Sequence, residues 1–154
     1  GHFAAVLKKS GGEETETDIP GGEKLPAQWT AFAKELGIRL PEGKALSFGQ
    51  NLYWAPADMP DIRKIKVMRP GLELGTVKKD RFEPAHALAL WLDSCKNTQT
   101  YGAESEEMKA YLHGDVVPSE KKGWCLVCAD GYSIGWGKGD GRVLKNHYPK
   151  GLRR

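Results

Sequence analysis

Trp124-Cys-Leu-Val-Cys-Ala-Asp-Gly-Tyr-Ser-Ile-Gly-Trp-Gly-Lys138 is the stretch on which the fold turns. Asp130-Gly131 is a two-residue hairpin signal between apolar runs. It predicts that Ala129 faces Tyr132, Val127 faces Ile134 and Cys125 faces Trp136. The opposite face then carries Trp124, Leu126 and Cys128 against Ser133, Gly135 and Gly137. Two glycines beside a tryptophan leave room for its ring to lie flat over bare backbone, or for another chain to approach closely. Gly139-Asp140-Gly141 turns the chain once more, into a strand over 142–146.

The charge of this segment is as informative as its pattern. Residues 121–154 hold eight Lys/Arg against two Asp, a surplus of six in a chain whose total is only +3. Trp136, His147 and Tyr148 are interleaved with these cations. Positive charge mixed with rings suits a phosphate backbone with accessible bases. A second basic stretch, 63–81, carries seven Lys/Arg against Glu73 and Asp80. Residues 1–60, by contrast, hold six basic and eight acidic side chains. That asymmetry places a polyanion-binding face towards one end of the chain.

Working backwards, Ser105 can cap a short helix whose first turn holds Glu106 and Glu107. Its apolar face is Met108, Tyr111 and Leu112, and Gly114 ends it. Residues 96–100 form a polar break. A second helix starts near Pro84 with Leu88, Trp91, Leu92 and Cys95 at i, i+3, i+4, i+7, so this face is core. Leu72 to Val77 and the alternating 64–68 read as strands, with Ile65 and Val67 on the buried side. Residues 44–54 read as one or two strands around Gly49-Gln50-Asn51. Pro26 opens a helix with Trp29, Phe32, Ala33 and Leu36 on one stripe and Gly37 at its end. Before it, Gly11-Gly12, the acidic run 13–18 and Gly21-Gly22 have linker composition. The apolar stretch 3–7 is either the last strand of a preceding domain or an edge strand of this one. The fold class is α+β.

The chemistry-bearing residues form no catalytic constellation. Cys125 and Cys128 lie three apart on a strand, hence on opposite faces, and no second ligand pair accompanies them for zinc. His2, His86, His113 and His147 are scattered; His86 reads as an exposed, neutral imidazole in the first turn of its helix. Gly135-x-Gly137-x-Gly139 lies within hairpins and opens no helix, so it does not fit a nucleotide-binding loop. No apolar run reaches the roughly 20 residues of a membrane helix. Three cysteines do not resemble a secreted disulfide framework, and a cytoplasmic location is expected.

Arg69-Pro-Gly-Leu-Glu-Leu-Gly-Thr-Val-Lys-Lys-Asp-Arg-Phe-Glu-Pro-Ala-His-Ala-Leu-Ala-Leu90, Gly135-Trp-Gly-Lys138 and Leu144-Lys-Asn-His-Tyr-Pro-Lys-Gly-Leu-Arg153 resemble the C-terminal part of RsmF-like enzymes. These are Sun-type ribosomal-RNA cytosine-5 methyltransferases. The resemblance implies a small α/β subdomain over 25–97, followed by a PUA-like β-rich pseudo-barrel over 98–154 that binds RNA. It makes 1–24 the end strand of a catalytic domain absent from this chain, plus a linker. That family's catalytic cysteines follow Pro and Thr; none of Cys95, Cys125 and Cys128 does, so no catalytic residue is expected here. S-adenosylmethionine is implied only for the absent catalytic domain. The partners implied are RNA, ribosomal RNA in particular, and the protein's own catalytic domain, with no membrane. The residues expected to meet RNA are Lys78, Lys79, Arg81, Trp136, Lys138, Lys145, Asn146, His147, Tyr148, Lys150, Arg153 and Arg154. The alternative is a structural or protein-interaction domain that packs on the catalytic domain.

Overall fold

The structure is a computed structural model that describes residues 11, 20–62 and 65–154. The apolar stretch 3–7 and most of the acidic linker lie outside the described residues. The first helix, α1 (Ala27–Leu36), follows an extended Pro26 and buries Trp29, Phe32 and Leu36 along one stripe. Gly37 closes it at φ +69°, its N–H donating to the carbonyl of Ala33. Four antiparallel strands follow in chain order: β1 (Lys44–Phe48), β2 (Asn51–Ala55), β3 (Leu72–Val77) and β4 (Phe82–Pro84). Ala45, Leu52, Leu74 and Phe82 supply the buried side of this sheet.

Two expectations fail in this half. Residues 65–68 form no strand, and Ile65 and Met68 are 63% and 88% exposed. Period-two patterning needs a free sheet edge to become a strand. Here β3 is already paired on both sides, the outer side of β1 is bridged by Glu23, and β4 offers an edge of only three residues. The second helix, α2 (His86–Trp91), is also shorter than its periodicity predicts, because 82–84 pair with β3 as β4. It ends where Leu92 turns extended. Leu88 and Ala89 are buried, but Trp91 is 42% exposed and Cys95 lies off the helix. Thr98 holds the chain in its new direction by donating Oγ1 to the Cys95 carbonyl at 2.9 Å.

The second sheet has the order β5-β7-β8-β9-β6. Its strands are β5 (Thr98–Tyr101), β6 (Val117–Pro118), β7 (Lys122–Ala129), β8 (Tyr132–Asp140) and β9 (Val143–Asn146). The polar break expected at 96–100 is in part β5, which runs parallel to β7. The sheet curls into a half-barrel, and its two edges are stitched by side chains. Tyr101 donates Oη to the Pro118 carbonyl at 2.8 Å, and Ser119 donates Oγ to Gln99 Oε1 at 3.1 Å. Helix α3 (Glu106–His113) fills the concave side with Met108 and Tyr111. It begins as its sequence dictates, with Ser105 Oγ accepting the Met108 N–H at 3.1 Å, and ends at Gly114 with φ +108°.

The β7–β8 turn forms at Asp130 and Gly131, both at positive φ, as a tight primed turn requires. Ala129 faces Tyr132, but a bulge at Val127/Cys128 shifts everything beyond it. Leu126, not Cys125, is therefore opposite Trp136, and Val127 faces Gly135. One extra residue sends Trp136 to the other side of the sheet. The room left by Gly135 and Gly137 is accordingly not under a tryptophan. A Cβ at Gly135 would collide with Tyr111 Oη, and one at Gly137 with the Leu144 side chain.

The displaced indole joins the two sheets. Trp136 is 1% exposed and donates Nε1–H to the Ala85 carbonyl at 2.9 Å. Its ring meets Phe32 edge-on at 5.8 Å. Trp29, Phe32, Leu52, Leu74, Leu88, Leu126, Cys128 and Trp136 all belong to one continuous core. Among the described residues no helix is long and apolar enough to cross a membrane.

Candidate nucleic-acid interface

Strand alternation builds a cationic corner from the same face that carries Trp136. Two residues beyond Trp136, Lys138 is paired across one strand with Trp124 and across the other with Lys145; His147 continues that side past the end of β9. Phe32 of α1 and the start of α2 cover the face near Trp136 and leave this end open. Lys138 and Lys145 are exposed. Lys138 Nζ stands 5.7 Å from the centroid of the Trp124 ring, and the His147 ring meets that ring at 4.5 Å. The backbone N–H of His147 is anchored to the Trp136 carbonyl at 3.1 Å.

The other basic stretch arrives beside this corner. Lys78, Lys79, Asp80 and Arg81 form the turn between β3 and β4, closed by the Lys78 N–H to the Arg81 carbonyl at 2.9 Å. Gln28 of α1 pins the turn from below, donating Nε2 to the carbonyls of Lys78 and Lys79. A cleft of about 290 Å³ separates α1 and this turn from β7 and β8, with Asp80, Arg81, Trp124 and Lys138 on its walls. Two cationic segments nearly 60 residues apart thus share one opening. The 78–81 side is weaker than its composition suggests. Arg81 is held by Glu83 at 2.9 Å and by Asp80 at 3.5 Å. Lys78 reaches Gln50 at 3.4 Å, and Lys79 is left exposed.

The chain end divides between exposed cations and structural pins. Lys150 and Arg154 are exposed. Asn146 instead donates Nδ2 to the carbonyls of Tyr111 and Asp115 and accepts the Tyr148 N–H on Oδ1. Arg153 donates Nε and Nη2 to the Tyr148 carbonyl and lies over Gly114. Tyr148 is half-buried, its ring edge-on to His86 and tilted against Tyr111, each at 5.5 Å. His86 is therefore a packed residue, not the exposed imidazole its position implies.

Three corrections follow for the residues singled out in the sequence. Trp136 has no exposed ring face to offer a base. Asn146 spends its amide on Tyr111, Asp115 and the Tyr148 N–H, and Arg153 commits Nε and Nη2 to the Tyr148 carbonyl. The half-buried Tyr148 ring is committed to His86 and Tyr111. The aromatic residue that does reach the cationic corner is Trp124, which sequence reasoning passed over. Its signal is the cross-strand pairing with Lys138, legible only once the bulge is placed. Cys125 and Cys128 lie in separate cores on opposite sides of β7. Burial pushes the Cys125 thiol up to about 12, and Cys128 upwards as well, so neither is primed as a thiolate.

Burial against Trp124 pulls the His147 imidazole below its ordinary value of 6.5. Lys138 and Lys145 pull it further, while Glu83 opposes them. Burial lowers His86 too. Both rings are neutral at pH 7, and the unfolded chain takes up protons near 6.5 that the folded state does not. Stability present above that pH is therefore lost as pH falls through the folded-state values. Thermal melts between pH 7.5 and 5 should show this decline. The His86→Gln/His147→Gln double variant should show a shallower one.

Comparison with known families places this geometry. The family model described as RsmF rRNA methyltransferase first C-terminal domain matches residues 31–92. The one described as methyltransferase RsmF PUA domain matches residues 98–154. The first match spans most of α1 through α2, and the second begins at β5 and takes in the whole curled sheet.

Proposed function

Because the chain belongs to the C-terminal region of the RsmF rRNA methyltransferase family, we propose that it docks structured ribosomal RNA for a catalytic domain of the same protein. The observation that carries this reading is the open corner made by Lys138, Lys145, His147 and Trp124, with Lys79 across the cleft. Phosphates lie on the exposed lysines, and Lys150 and Arg154 extend the cationic track towards the chain end. The chemistry proposed for the whole protein is transfer of a methyl group from S-adenosylmethionine to a cytosine C5, in the cytoplasm. Docking contributes position: it converts an encounter with RNA into an oriented complex and touches no reacting bond. The residues here do not fit the cofactor. The glycine run 135–139 lies inside β8, paired to β7 and partly to β9, and the chain runs on from it into strand β9.

The test is binding of a matching ribosomal RNA fragment across a salt series. With about three or four phosphates engaged, log K should fall against log salt with a slope of about −3. Affinity indifferent to salt would remove the reading. A second reading, a packing surface for the catalytic domain, is favoured by a different place. A cavity of about 420 Å³ beside β1 is lined by Leu46, Phe48, Met59, Ile62 and Ile65, and Phe48 and Ile65 are exposed there. Titrating purified catalytic domain against the chain without RNA separates the two. Tight association with no RNA binding favours the packing surface.

A further inference from the structure

We infer that the cleft between α1, the 78–81 turn and the β7–β8 ribbon receives a single unpaired nucleobase, stacked on Trp124, from RNA held by the cationic corner. This rests on the RNA-docking reading and names what that site reads. The cleft has an aromatic floor: Trp124, Phe32 and Phe82 line it, and behind them Trp136 continues the ring cluster. A rigid, backed aromatic surface is what base stacking requires. At about 290 Å³ the cleft sits at the small end of ligand sites, which run from about 300 Å³ upwards; it suits one base and not a base pair.

Its polar walls separate a base from a phosphate. Glu35 and Asp80 both line the cleft, and two carboxylates repel a phosphate while accepting the N–H donors that bases carry on their edges. Two cations share these walls: Arg81 is taken up by Glu83 and Asp80, while Lys138 lies over the Trp124 ring with Lys145 beside it towards the open side. The sugar–phosphate strand therefore runs along the rim while a base turns inward. Gly123 keeps the wall open. It sits at φ +72°, and a Cβ there would come within 3.1 Å of the Glu35 carboxylate, so a side chain would both strain the backbone and narrow the cleft. Lys138 covers the ring only loosely, at 5.7 Å. A flexible lysine at that distance swings out to a phosphate as the base enters.

The experiment uses two RNA hairpins of equal length and charge, one fully paired and one carrying a single-nucleotide bulge of 2-aminopurine. The full chain is expected to bind the bulged hairpin about tenfold more tightly and to change the probe's fluorescence on binding. Trp124→Leu, which keeps an apolar side chain on the floor, should erase that preference and silence the probe. Glu35→Gln on the exposed side of α1 provides a variant with no folding risk, and it should weaken only the bulged complex. If both hairpins bind equally with a steep salt slope and a silent probe, the base slot is overturned and RNA docking stands. If neither hairpin binds, or binding ignores salt, docking itself fails and the slot with it.

Discussion

Trp136→Ala is expected to destabilise the protein by about 3–5 kcal/mol, the range for removing a large buried aromatic side chain. The indole is 1% exposed and lies in the core shared by both sheets. Its deletion leaves a void between Phe32, Trp124 and Leu126, none of which can close over it without moving a strand or helix. The Ala85 carbonyl also loses one of its donors, keeping the N–H groups of Leu88 and Ala89. For a chain of this size the melting temperature should fall by about 10 °C or more. Trp136→Phe separates the two contributions: it keeps most of the apolar volume, removes the hydrogen bond, and should cost about 1–2 kcal/mol. Urea unfolding followed by circular dichroism measures both. A loss below about 1 kcal/mol for the alanine variant would mean that the two sheets are not held together through this ring.

The Lys138→Glu/Lys145→Glu double reversal is expected to weaken RNA binding by about 30- to 100-fold at moderate salt, with little change in stability. The two lysines are cross-strand neighbours on an open face, and exposed surface substitutions of this kind usually change stability by less than about 0.5 kcal/mol. The pair is also a like-charge juxtaposition, which is mildly unfavourable in the free protein and is relieved when a phosphate lies between them. Each lost phosphate contact should flatten the salt slope by about one. The double variant should thus lose about two units of slope, beyond a mere drop in affinity. Arg81→Gln is the informative contrast. Its guanidinium is occupied by Glu83 and Asp80, so its removal should change affinity several-fold less. Fluorescence anisotropy at three or four salt concentrations reads all of these. An unchanged slope in the double variant would take phosphate recognition away from this corner.

How much of this was legible in the sequence follows the range of the interactions involved. The caps of α1 and α3 were readable because Pro26, Gly37, Ser105 and Gly114 act on backbone groups within a turn or so of themselves. The turns at Gly49 and Asp130-Gly131 were readable for the same reason. Strands whose identity depends on a distant partner were not. Strand β5 is polar and short, and it exists because β7 offers a parallel edge. The alternating 64–68 segment has the pattern of a strand, yet β3 has no free edge to give it.

The candidate site shows the same division in a sharper form. That basic residues gather in 63–81 and 121–154 is a property of the chain itself, and from it the polyanion reading follows, while the family resemblance rests on the motifs at 69–90, 135–138 and 144–153. Which aromatic ring stands among those cations is not. A one-residue bulge at Val127/Cys128 rotates Trp136 into the core and sets Trp124 opposite Lys138, because side chains on a strand change face with every residue. Local chemistry writes turns, caps and charge into the sequence. The facing of a strand is settled only when two distant sheets close on one another and the bulge turns Trp136 into the core they share.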